Sequence, residues 1–111
     1  QRLGPDLVIG PSMADTHQDH HVVAQEARRA FKRSRLLGYE MPWNNFQFQS
    51  TAFVSVERAD ADAKVAALAE YSTQASRPYM VRDYQEAQLR FRGVQIGVEF
   101  AEAFEVIRWL L

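Results

Sequence analysis

The chain has 111 residues, 47% of them apolar and 24% charged, a formal net charge of -1 and no cysteine. That much apolar surface offsets chain entropy, so one folded domain spanning residues 1–111 is expected rather than a disordered segment. The near-neutral balance argues against nucleic acid as partner, because such binding rests on phosphate neutralisation. The lack of thiols excludes a disulfide framework and leaves imidazole and carboxylate as the donors for any metal. No apolar run approaches the roughly 20 residues of a membrane span, and the opening residues lack a leader, so a cytoplasmic protein without a membrane span is expected.

In chain order, the first element is a short strand at Leu7–Ile9, an apolar, partly β-branched run bounded by Pro5 and by Gly10-Pro11. Both of its faces are apolar, which predicts a covered position in a parallel sheet. The loop PSMADT leads into a helix from about Asp19 or His20 to about Arg33, with Val23, Ala27 and Phe31 on one face and its basic residues toward the C-terminal end. A strand at Leu37–Met41 precedes a Pro-Trp-Asn-Asn turn. TAFVSVE alternates as a second core strand, with Ala52, Val54 and Val56 on one face. A second helix follows, capped by Asp60 or Asp62, with Ala61, Val65, Leu68 and Ser72 along one side. A third helical pattern in DYQEAQLRFRGVQIG has Tyr84, Ala87, Phe91 and Val94 as its apolar line. The closing FAEAFEVIRWLL permits a helix, but the alternation of Phe104, Val106 and Arg108 favours a terminal strand. Strands alternating with helices predict an α/β fold, Rossmann-like and layered, with a mostly parallel sheet and helices on both faces.

All three histidines, His17, His20 and His21, fall inside PSMADTHQDHH, interleaved with Asp15 and Asp19. The cluster follows the first strand and opens the first helix, which is where α/β sheets place their sites. His17 and His20 are three residues apart, a spacing that lets both rings face one ion or one substrate. Asp19 can accept from an imidazole N–H and hold its tautomer. The plainer alternative is that two histidines at a helix start are solvated or capping residues.

The stretch PDLVIGPSMADTHQDHHVVAQEARRAF resembles the LmbE-like or PIG-L family of zinc-dependent N-deacetylases, whose second motif, His-Pro-Asp-His, corresponds to His17-Gln18-Asp19-His20. LGYEMPWNNF, STQASRPY and RFRGVQIGVEFAEAFEVIR look similar to bacterial members, with the Arg92-Gly93 and Ala101-Glu102-Ala103-Phe104 segments the more specific part. The resemblance implies His20 as a zinc ligand, His17 as the group that stabilises the oxyanion or protonates the leaving amine, and Asp19 as the residue orienting His17. It implies an N-acetylated amino sugar or glycoconjugate as substrate, with Asp15, Trp43, Asn44 and Arg92 as candidate contacts and Asn45 beside them. For Asp15 a loop-bracing role is the stronger expectation, for Trp43 packing, and for Arg92 a buried pair with Glu102. The family's first motif, Ala-His-Pro-Asp-Asp-Glu, supplies two zinc ligands and the general base, and nothing in the chain matches it. By resemblance the chain is therefore a C-terminal portion of such an enzyme, a partial version of the fold, weak or inactive alone. The competing expectation is a non-catalytic α/β module that self-associates as a homo-oligomer to cover an open sheet edge. A metal site shared between two protomers is a third.

Overall fold

A computed structural model describes residues 4–71, 77–78 and 81–111. Ser72 of the expected helical line and most of STQASRPY lie outside the described residues. The element order is β1 (Leu7–Pro11), α1 (Gln18–Ala30), β2 (Arg35–Tyr39), β3 (Ala52–Val56), α2 (Arg58–Ala69), α3 (Arg82–Ile96) and β4 (Phe100–Arg108). The fold is α/β, with a four-stranded mixed sheet in the order β1-β2-β4-β3. No helix among the described residues is long and apolar enough to cross a membrane.

The expected mostly parallel sheet is corrected on one point. β1 and β2 are parallel, with Leu7 opposite Arg35 and Gly10 opposite Gly38. β2 and β4 are antiparallel, with Gly38 opposite Glu105. One helix between strands returns the chain to its starting end and keeps the next strand parallel, as α1 does between β1 and β2. No named helix separates β2 from β3, and two stand in succession between β3 and β4, so direction is not preserved.

The chain divides into two compact units, Gln1–Ala52 with Ala103–Leu111, and Phe53–Glu102. In the first, α1 packs along β1. Its N-cap is His17, whose Nδ1 accepts from the Asp19 backbone N–H, the duty a hydroxyl or carboxylate usually performs. The helix stops at Ala30, three residues short of the expected Arg33. Its final carbonyls are taken by Arg108, which donates from Nη1 to Phe31 O at 2.9 Å and from Nη2 to Arg28 O at 3.1 Å. A cation there satisfies orphan acceptors and complements the helix dipole. Of the apolar side chains on α1 only Ala24 is buried, while Val22 and Val23 stay exposed. β1 ends the sheet order, so the expected covered position does not hold: Leu7 is 45% and Ile9 52% exposed.

In the second unit Ala61, Leu89 and Phe100 form the core with Val56 against them. α2 turns Ala61 inward with Val65 and Leu68 half-buried, as its spacing predicts. Asp60 stands at the third helical position, not at the cap; its side chain accepts from the Glu57 backbone N–H at 3.1 Å while the Glu57 side chain accepts from the Asp60 N–H, a capping box. β3 lies at the other end of the sheet order, not in a core position, and Val54 is exposed. α3 buries Gln85, Leu89, Arg92 and Gly93 instead of Tyr84, Ala87, Phe91 and Val94; Val94 is 78% exposed. Leu89 is the residue that meets Ala61 and Phe100, and other buried positions of α3 are held by Gln85 and Arg92, which a count of apolar positions does not register. Gly93 sits where a β-carbon would stand 2.6 Å from the carbonyl oxygens of Val98 and Glu99. That close approach lets α3 turn directly into β4. β4 is the expected terminal strand, with Phe100, Ala101, Ala103 and Phe104 buried.

Candidate functional site

The segment between β1 and α1, residues 12–17, is held from below before it presents anything to solvent. Ser12 is fully buried and donates from Oγ to Glu105 Oε1 at 2.9 Å, and the Met13 N–H donates to the same oxygen at 3.0 Å. The Ser12 hydroxyl accepts in turn from the Ala14 N–H at 3.0 Å. Gly38 makes room for this, since a β-carbon there would lie 2.7 Å from Ser12 Cα and 3.2 Å from Glu105 Oε1.

Asp15 stands at the centre of the site. Its side chain has no exposed surface, and a buried carboxylate must be hydrogen-bonded to persist. Oδ1 accepts from the His17 backbone N–H at 2.8 Å, and Oδ2 lies 2.9 Å from His20 Nδ1. The bracing expected of Asp15 is there, and an imidazole contact is added to it. Tyr39, half-buried at the end of β2, has its phenol pKa raised, by burial first and by the charge of Asp15 second.

The two imidazoles stack with centroids 4.4 Å apart and planes 23° from parallel. Their hydrogen bonds assign opposite tautomers. A carboxylate only accepts, so neutral His20 carries its proton on Nδ1 and keeps its lone pair on Nε2. His17 Nδ1 accepts from the Asp19 N–H at 3.2 Å, so neutral His17 carries its proton on Nε2. The stacked pair therefore offers one lone pair and one N–H donor. Asp19 reaches His17 through its backbone amide, a route different from the carboxylate contact that the motif suggests. The capping alternative and the site reading are thus not exclusive, because the cap itself selects the His17 tautomer.

The Met41–Asn45 turn is clasped to this loop by its backbone. Asn44 O accepts from the Thr16 N–H at 3.0 Å and from Thr16 Oγ1 at 2.7 Å, and Asp15 and Asn45 form an isolated antiparallel bridge. Asn44 Nδ2 reaches Met41 Sδ, Asn45 Oδ1 accepts from the Met41 N–H, and Trp43 is 38% exposed. Beside the loop lies an open groove of about 520 Å³ lined by Met13, Ala14, Asp15, Thr16, Gln18 and His21. His21 shares a contact of 3.0 Å with Gln25 Nε2. Arg92 belongs to the second unit, where it is buried and donates to Gln95 Oε1 at 2.8 Å. Glu102 pairs with Lys64 at 2.9 Å, a partner other than the Arg92 expected for it.

Ser12, Tyr39 and Glu105 are the site residues that the motif does not include. The signal for Glu105 is a lone carboxylate within the otherwise apolar AFEVI of a strand; Ser12 and Tyr39 carry none. Among the described residues no group of three or more His, Cys, Asp or Glu side chains is placed to hold a metal ion. No family model matches the chain, and no curated protein matches it.

Proposed function

We propose that the β1–α1 loop carries part of the hydrolytic centre of a zinc-dependent N-deacetylase acting on an N-acetylated amino sugar or glycoconjugate, within a layered, Rossmann-like fold of which this chain is the C-terminal portion. The observation that carries the reading is the stacked His17–His20 pair, one Nδ1 against a backbone amide and the other against a buried carboxylate, contacts that set opposite tautomers in the neutral rings. Amide hydrolysis passes through a tetrahedral oxyanion and needs a proton delivered to the departing amine. His17, with its proton on Nε2 and its ring exposed, is suited to both tasks. His20, with Nδ1 tied to a buried carboxylate, has the Nε2 lone pair and the carboxylate backing of a typical metal-binding histidine.

A catalytic zinc needs three protein ligands besides water. These donors do not fit a complete centre, since His20 supplies one and no group of three stands together among the described residues. The first metal motif and the general base of the family are likewise missing from the sequence. The chain alone is therefore expected to release little or no acetate. Joined to a preceding segment that supplies the other ligands, and given zinc, it is expected to release acetate from an N-acetylated hexosamine. There His17→Ala lowers kcat by roughly 10²–10³, the cost of one oxyanion donor, and His20→Ala weakens zinc binding. A completed protein that releases no acetate from any N-acetylated sugar overturns the reading.

The exposed Leu7 and Ile9 on the outermost strand favour a second reading, a self-associating module without catalysis. It predicts a homo-oligomer without stoichiometric metal, and a sedimenting monomer excludes it.

A further inference from the structure

We propose that Glu105, on β4, is a positioning residue for His20, which it governs through the loop that carries Asp15. The inference rests on the site reading above for its importance, though its test needs no activity. One carboxylate oxygen gathers two donors from the loop, the Ser12 hydroxyl and the Met13 amide, and the Ser12 hydroxyl takes the Ala14 amide. The Asp15 N–H donates back to Ser12 O at 3.2 Å. Ser12 and Met13 are thus tied to a side chain 93 residues away in sequence from Ser12, and Ala14 and Asp15 are tied to Ser12 in turn. The last link is the 2.9 Å contact of Asp15 Oδ2 with His20 Nδ1. Ser12 and the Asp15 side chain are sealed from solvent, so water is not at hand to replace a lost partner. Hydrogen bonds to an ionised acceptor are the strong ones, and two of them on a strand side chain fix the loop far better than its own turn would.

The tautomer of His20 is the readout, because it responds to the placement of the Asp15 carboxylate and not to stability as such. Long-range proton–nitrogen correlation spectra of the metal-free 111-residue chain, with each histidine assigned, report it at neutral pH. The unmodified chain is expected to show His20 protonated at Nδ1 and His17 at Nε2. Glu105→Ala is expected to change the His20 tautomer ratio by about tenfold toward Nε2–H, the order set by a charge-assisted hydrogen bond. Glu105→Gln keeps an acceptor oxygen and restores the original tautomer. A folded Glu105→Ala chain whose His20 is unmoved overturns the proposal. Should that variant fail to fold, Ser12→Ala carries the same expectation, and an unmoved His20 there overturns the proposal equally. Asp15→Ala, which removes the acceptor altogether, separates the two levels. If it moves His20 while Glu105→Ala does not, only the role of Glu105 falls; if it leaves His20 unmoved, the tautomer assignment beneath the site reading falls as well.

Discussion

Asp15 serves two partners with one carboxylate, the His17 amide and the His20 ring, and its charge also reaches Tyr39. Burial and that charge both disfavour the phenolate, so Tyr39 titrates above the ordinary value of 10.0 when folded. The sign of the linkage follows. Stability associated with the neutral phenol is intact below about pH 10 and is lost as pH rises through the folded value above it. In an alkaline titration of tyrosinate absorbance, a component above the ordinary value is expected to belong to Tyr39 and to vanish in Tyr39→Phe. Asp15→Asn is expected to move it to lower pH while leaving it above the ordinary value, because burial is the larger cause. A Tyr39 that titrates at or below the ordinary phenol value contradicts this picture. His17 and His20 were legible as a candidate pair because they stand three residues apart at a helix start, whereas the carboxylate that meets an imidazole is that of Asp15 and not the interleaved Asp19. Ser12 and Glu105 were not, since their connection exists only after β4 is laid beside β2.

The elements themselves were written in local pattern, down to the terminal strand that competes with a helix in FAEAFEVIR. What local pattern does not contain is strand direction and the depth of each face. Apolar spacing on α3 offers Tyr84 to Val94 as one candidate face, yet Leu89 is the residue beside Phe100 and Ala61. Both faces of β1 are apolar, which reads as burial, yet a strand at the end of the order leaves Ile9 in solvent. Paired glycines on β1 and β2 turn such differences of environment into a test. Gly10 and Gly38 are opposite each other in register, but a β-carbon meets nothing within 4 Å at Gly10, whereas at Gly38 it meets backbone at 2.7 Å. Gly38→Ala is expected to cost about 1–3 kcal/mol, as overpacking does. Gly10→Ala should stay within about 0.5 kcal/mol of the parent. Urea midpoints of the two variants decide it, and equal values refute the tight approach of β2 to the loop.

At the scale of the whole molecule, the open question is what becomes of the apolar surface on the first unit. Leu7 and Ile9 lie two residues apart on β1 and so share one face of the sheet, while the outer edge of that strand has no partner among the named strands. α1 adds Val22 and Val23, both more than half exposed. Unpaired edges with apolar side chains are templates for further pairing, and natural sheets blunt them with charge, which this strand lacks between Leu7 and Pro11. The isolated chain is therefore expected to associate as its concentration rises, seen as a growing weight-average mass in sedimentation. Ile9→Lys places a charge on that face where the parent side chain is already half in water, so its stability should change by less than about 0.5 kcal/mol. Association should weaken at least severalfold in the same variant. Unchanged association would place the contact away from β1, and a chain that stays monomeric at all concentrations would show that the exposed edge is tolerated as it stands.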